Sequence, residues 1–159
     1  MGYTTYFDGG FTLDKKLDSK TLEFLIKLAN TRRMKRNVGP EYGTEGEFYV
    51  DGSGFMGQGE DDNVLNRNQP PSTQPGLWCQ WVPTEDGTQI VWDGGEKFYY
   101  YVEWIQYIIN KVLAPRGYKL NGSVSYEGED RDDFGVIVVK DNVVYTRKGA
   151  RSYGPEELA

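Results

Sequence analysis

Apolar residues recur along this chain with two periods, and each change of period marks a new element. Tyr3 to Leu13, YTTYFDGGFTL, is rich in aromatic and β-branched residues and is interrupted by Gly9-Gly10. That pattern predicts one bent strand or a short strand pair. Asp18 or Ser19 then caps a helix expected to run to about Met34. Leu22, Leu25, Ile26 and Ala29 fall on one helical face, widened by Phe24 and Leu28. Arg32, Arg33, Lys35 and Arg36 close the segment. Cations there favour the helix dipole, a reading preferred to a nucleic-acid site. Residues 47–55, EFYVDGSGF, are expected to contain a strand. Residues 57–75 carry few apolar side chains and three prolines, and read as a long flexible loop.

The second half is more strongly patterned. Leu77, Cys79 and Trp81 alternate with Trp78, Gln80 and Val82; Pro83 to Gly87 supply a turn, and Gln89 to Trp92 return as a hairpin over 76–95. Asp93 followed by Glu96 resembles a capping box, which opens a helix from about Lys97 to Leu113. Phe98, Val102, Ile105, Ile109 and Val112 form its core face, flanked by Tyr101 and Ile108, with Trp104 and Tyr107 at the margins. Pro115 and Gly117 stop it. Tyr118 to Tyr126 reads as a strand, as do Phe134–Lys140 and Val143–Arg147, the last two joined only by Asp141-Asn142. The tail from about 150 to 159 is polar. The order β-α-β-loop-β-β-α-β-β-β predicts an α+β fold: a mostly antiparallel sheet of about five to seven strands, with two helices packed on one face. A sheet face or cleft lined by Trp and Tyr would then be the binding surface.

Length and composition narrow the class. The 159 residues suit a single domain spanning 1–159, and 14% of them are aromatic. A chain of this size buries roughly two thirds of its extended surface, so it needs no disulfide or metal to fold. The one cysteine, Cys79, excludes an internal disulfide and a zinc pattern. There is no histidine, which removes the commonest general base and most transition-metal sites. No signal peptide or membrane span is expected. Net charge is −6, divided as +4 over residues 1–40 and −10 over 41–159. The acidic balance argues against direct nucleic-acid binding and suits a basic partner, or solubility alone.

The acids cluster in YEGEDRDDFG, Tyr126 to Gly135, with a weaker echo in GQGEDDN, 57–63. Glu127 is set apart by parity from Tyr126 and should face solvent. Glu129, Asp130, Asp132 and Asp133 lack the spacing of an EF-hand. A carboxylate pair for acid–base work is common in any acidic chain and says little. The preferred reading is a strand connection whose Asp side chains cap backbone N–H groups, with Arg131 offsetting some repulsion. The glycines at 52, 54, 57 and 59 lack the Lys-Ser/Thr pair of a phosphate loop. Cys79 reads as a small buried hydrophobe, Tyr101 as core, and Tyr99 and Tyr100 as partly exposed.

The run GEDRDDFGVIVVKDN following LNGSVSY, within the hairpin, helix and strands of residues 75–147, resembles a family of small uncharacterised bacteriophage and prophage proteins. Residues 1–70 match it loosely, mainly through the opening MGYTTYFDGGFTL. The resemblance implies a phage origin, an infected bacterial cytoplasm and no catalytic motif to carry over. The expected function is a non-enzymatic binding protein that inhibits a host factor, of the counter-defence type, through an acidic, aromatic-rich surface. Its contact residues would be Glu127, Glu129, Asp130, Asp132 and Asp133, with Glu60, Asp61 and Asp62, and Tyr99, Tyr100 and Trp104. The partner would be a host protein such as a nucleic-acid-binding enzyme or defence complex. Neither a membrane nor direct nucleic acid is expected, no cofactor or metal is assigned, and a homodimer is compatible. Alternatives are a sponge for a small molecule or nucleotide, a hydrolase dependent on a divalent metal, and a minor virion component.

Overall fold

The computed structural model describes residues 2–50 and 58–159. Among the described residues, eight strands and two α-helices follow in the order β1 (Thr5–Leu13), α1 (Ser19–Asn30), β2 (Lys35–Arg36), β3 (Val64–Asn66), β4 (Trp81–Pro83), β5 (Gln89–Trp92), α2 (Tyr101–Ile108), β6 (Leu120–Gly128), β7 (Phe134–Lys140) and β8 (Val143–Lys148). Six strands form one sheet in the order β4-β5-β1-β6-β7-β8, and every neighbouring pair is antiparallel. The fold is α+β. β2 and β3 form a separate two-stranded ribbon with a register shift between Lys35 and Arg36.

Side-chain alternation decides which sheet face is covered. Phe11, Leu13, Leu120, Val124, Ile137, Val139 and Ile90 share one face, and all are buried with Leu25, Ile105, Ile108, Ile109 and Val112 of the helical segments. β1 is one continuous strand through Gly9-Gly10, in register with β6 from Thr5↔Gly128 to Leu13↔Leu120. The two backbones approach too closely for a side chain at either crossing: a Cβ on Gly9, at φ +107, would stand 2.8 Å from the Ser123 carbonyl oxygen. A side chain on Gly122, at φ +133, would stand 2.9 Å from the Gly10 carbonyl oxygen. An aromatic cluster fills the wide end of the core: Phe7 lies 5.3 Å from Trp81 and 5.0 Å from Tyr101, and Trp81 lies 5.4 Å from both Phe11 and Phe98. Edge-to-face contacts at such distances add to simple burial.

Asp18 caps α1 by accepting the Thr21 N–H at 2.8 Å. The helix stops at Asn30, before the expected end at Met34. Thr31 is extended, and the buried Gln58 side chain takes over the free backbone groups, donating to the Asn30 carbonyl and accepting the Arg32 N–H at 2.6 Å. The basic run therefore lies beyond the helix. Arg33 and Arg36 are buried and hold distant loops instead of complementing a dipole.

The strand expected in 47–55 is not formed over its described part, 47–50. Gly43 and Gly46 adopt left-handed conformations, the chain turns through Thr44–Gly46, and Glu47 points inward. The rest of that segment, and the glycines at 52, 54 and 57, lie outside the described residues. Within 58–75, a short 3-10 turn at Gln58–Glu60 and strand β3 replace the unbroken loop.

α2 begins at Tyr101, four residues later than expected. Asp93 accepts the Gly95 N–H at 2.7 Å, so it closes its own turn and no capping box forms. Gln80 binds the Glu96 carbonyl, Phe98 is drawn into the core, and Lys97 and Tyr100 take positive φ values of 60° and 59°. The helix then widens into a π turn over Ile109–Leu113 and a 3-10 turn over Ala114–Arg116, ended by left-handed Gly117. Trp104 and Tyr107 are buried, where a margin position was expected. The segments around Glu47 and Gln74 cover that side of the helix, with the Tyr107 hydroxyl donating to Glu47 Oε1 at 2.7 Å.

Candidate functional site

The acidic turn after β6 is an internal clasp. Asp133 Oδ2 accepts the Tyr3 hydroxyl at 2.6 Å, Glu129 Oε1 accepts the Thr4 N–H at 2.8 Å, and the Asp130 N–H donates back to the Tyr3 oxygen at 3.0 Å. The expected capping of the turn by Asp side chains is not what forms: Glu129 caps the Thr4 N–H at the chain's start, while backbone bonds from Gly128 N–H to the Asp133 carbonyl at 2.7 Å and from Asp133 N–H to the Asp130 carbonyl at 3.0 Å close the turn itself. The bond to Asp133 holds the Tyr3 phenol above its ordinary pKa. Asp132 lies 3.7 Å from Arg151, whose guanidinium sits over Phe134 at 4.6 Å. Glu127 is exposed, as its parity required. In the second acidic stretch Asp61 is paired with buried Arg36 at 3.1 Å, while Glu60 and Asp62 are exposed. Four of the eight expected contact acids, Glu129, Asp132, Asp133 and Asp61, are thus engaged internally.

Tyr3 carries the clasp to a cleft. Its backbone N–H donates to the Tyr99 hydroxyl at 3.1 Å, and the Lys97 side chain lies along Gly2. Tyr99 and Tyr100 are 47% and 57% exposed. They form one wall of a cavity of about 590 Å³ whose other wall is the segment 68–80. The lining is mainly apolar: Pro70, Pro75, Leu77 and Trp78 face the two tyrosines, with Asn68, Gln80, Glu96 and Lys97 at the polar margin. Gln80 is held from both sides, donating to the Glu96 carbonyl at 2.7 Å and accepting from Trp92 Nε1 at 3.1 Å. Both non-glycine residues with left-handed backbone in the 96–100 wall, Lys97 and Tyr100, line the cavity. Such conformations cost free energy for ordinary side chains and gather at ligand sites.

Trp104, expected at the contact surface, is fully buried and offers no face to a partner. It lies beneath the cleft, its Nε1 3.5 Å from where a Cβ on Gly76 would stand. Sequence reasoning singled out Tyr99 and Tyr100 but not Trp78, Pro70 or Pro75 as their partners. Nothing local signals that pairing, because the opposing wall comes from the segment read as a loop and a hairpin. Tyr3 was likewise missed as the connector.

Two further clusters define what the protein can do chemically. Arg33, Glu47, Gln74 and Tyr107 form a buried polar network: Arg33 Nη2 donates to the carbonyls of Glu47 and Tyr49 at 2.9 and 2.7 Å, and Gln74 Nε2 to the Glu47 carbonyl at 2.7 Å. Every bond joins a loop to the core, which is an anchoring arrangement. The Cys79 thiol is pushed up to about 12 by burial, the opposite of an activated nucleophile. Among the described residues, no group of three or more Asp, Glu and Cys side chains is placed to hold a metal ion, and no helix is long and apolar enough to cross a membrane. No protein-family model, curated protein or solved structure matches this chain.

Proposed function

We propose that this chain is a non-enzymatic ligand-binding protein whose site is the aromatic cleft between residues 68–80 and 96–100. The observation that carries the reading is the cavity itself: about 590 Å³, mainly apolar, with Trp78, Tyr99 and Tyr100 around it. Sites for small organic molecules have this size and this balance of ring surface with a few polar groups. Aromatic walls bind flat rings by stacking and by removing apolar surface from water. Thermal-shift screening of the whole chain against nucleosides, nucleotides and aromatic amino acids tests it. At least one flat compound should stabilise the protein, and Trp78→Ala should remove that effect. A panel with no stabilising member would sink the reading.

A second reading keeps the host-factor inhibitor that the phage resemblance implies. Its support is the continuity of Tyr99 with the acidic turn through Tyr3, which makes one patch of rings and carboxylates. It predicts a basic host protein retained from bacterial lysate at low salt and released as salt rises. Tyr99→Ala together with Tyr100→Ala should weaken that retention; unchanged retention would count against it.

A further inference from the structure

Trp104 is fully buried, and among the described residues its Nε1 has no hydrogen-bond partner. A buried indole N–H nearly always finds an acceptor, so an orphan calls for an explanation. The position of this one supplies it. Nε1 lies 3.5 Å from the point a Cβ on Gly76 would occupy, and Tyr100 Cδ2 lies 3.2 Å from the same point. Gly76 and Tyr100 both line the cleft. The donor thus lies beside two lining residues of the cleft, one without a side chain and the other the Tyr100 ring.

Tyr100 has room to turn on its exposed side. Its ring is more than half exposed, and its backbone has φ 59° and ψ 37°, a left-handed conformation unusual for a bulky residue. It also borders the neighbouring hollow that contains Thr73, whose buried Oγ1 is a second polar atom without a partner among the described residues. Rotation about the side-chain bonds of an exposed ring is rapid and needs no change in the fold.

Charge selects among flat ligands. Glu96 and Lys97 are adjacent on the margin and offset each other, and Tyr3 links Tyr99 to the acidic turn. An anionic group gains little there. We infer that the cleft takes an uncharged heteroaromatic ring bearing an in-plane hydrogen-bond acceptor, of the nucleoside type, which stacks on Trp78 and receives the Trp104 Nε1 hydrogen as the Tyr100 ring moves aside. This rests on the cleft being a ligand site.

The test uses the whole chain labelled with ¹⁵N, in which the four tryptophans give separate indole N–H signals. The probes are uridine and guanosine, which carry ring acceptors, indole, which has no comparable acceptor, and uridine monophosphate. Uridine or guanosine should move the Trp78 and Trp104 signals, the latter downfield. Indole should move Trp78 alone, and the monophosphate should bind more weakly than uridine. Trp104→Phe should weaken the nucleoside about tenfold, the effect of one lost hydrogen bond, and weaken indole by less. The comparison of probes on the unaltered chain decides even if Trp104→Phe fails to fold. Movement of Trp78 without Trp104 under the nucleosides would overturn this inference and leave the ligand-binding reading standing. A Trp78 signal unmoved by every probe would remove both.

Discussion

The Tyr3 hydroxyl donates to Asp133 Oδ2 across 2.6 Å and across 130 residues of sequence. Through that bond, and the Tyr3 N–H on the Tyr99 hydroxyl, residues 3 and 4 tie one wall of the cleft to the turn between β6 and β7. The cleft wall is therefore positioned by the chain's start as well as by α2. Tyr3→Phe keeps the ring and the Glu129 bond to Thr4 N–H, and removes the two hydroxyl bonds to Asp133 and Asp130. Amide hydrogen exchange should quicken severalfold at the Thr5–Phe7 end of β1 and at Asp130, and stay unchanged at Phe11–Leu13. Uniform exchange along β1 in the variant would show that the bond positions nothing.

Four phenols share a direction of shift. Tyr3 is raised by its bond to Asp133, Tyr101 is pushed up to about 12 by burial with the Asp133 charge adding, Tyr107 is raised by burial and then by its bond to Glu47, and Tyr126 is raised by burial. The unfolded chain ionises these groups near pH 10. A folded pKa above the unfolded one gives stability that is complete below about pH 10 and is lost as pH rises through the folded value. The melting temperature should hold level from about pH 8 to 9.5 and fall steeply between about 10 and 12. Absorbance of ionised tyrosine should rise together with unfolding for this subset. A melting temperature flat to pH 12 would contradict the prediction.

The β7–β8 turn makes a separable prediction. Asp141 and Asn142 have φ values of 45° and 72°, both left-handed, as a two-residue hairpin turn requires. Asn142 also accepts the Leu120 N–H at 2.7 Å and donates to the Tyr118 carbonyl at 2.9 Å, fastening the turn to the start of β6. Asn142→Gly loses only those side-chain bonds, roughly 1–2 kcal/mol. Asn142→Ala loses them and adds a left-handed alanine, about 1 kcal/mol more. Denaturant unfolding should rank wild type above Gly above Ala. Equal loss in both variants would mean that backbone conformation contributes nothing there.

That turn was legible in the sequence because its cause is local, and so were the Asp18 cap and the alternation of β6 and β7. The misreadings share a different cause. The start of α2 was placed four residues early because Asp93 and Glu96 look like a cap, while the deciding contacts are the Gln80 side chain and the burial of Phe98. Arg33 and Arg36 looked like helix-end cations because their acceptors stand far along the chain, at Glu47, Tyr49 and Asp61. Trp104 looked marginal because periodicity assumes a helix with one covered side, and α2 has two. Of the candidate site, the two exposed tyrosines could be read in advance. Their opposing wall could not, since residues 68–80 reach them only through tertiary packing.

The network under that second covered side sets the last prediction. The Tyr107 hydroxyl donates to Glu47 Oε1 at 2.7 Å and accepts from Gln74 Nε2 at 3.0 Å, while Thr44 N–H reaches Glu47 Oε2 at 3.3 Å. Glu47 is only 3% exposed, so few other donors can replace the phenol. Tyr107→Phe leaves a buried carboxylate short of a partner, which costs about 2–3 kcal/mol for a bond to a charged group. In a domain of this size that lowers the melting temperature by roughly 4–10 °C. In a Glu47→Gln background the same substitution removes a bond between neutral groups and should cost about 1 kcal/mol. The difference between the two costs measures the coupling of Tyr107 to the charge on Glu47. Equal costs in both backgrounds would show that the phenol serves as packing alone, and that the segment carrying Gln74 and Pro75 to the cleft is held by the Arg33 contacts instead.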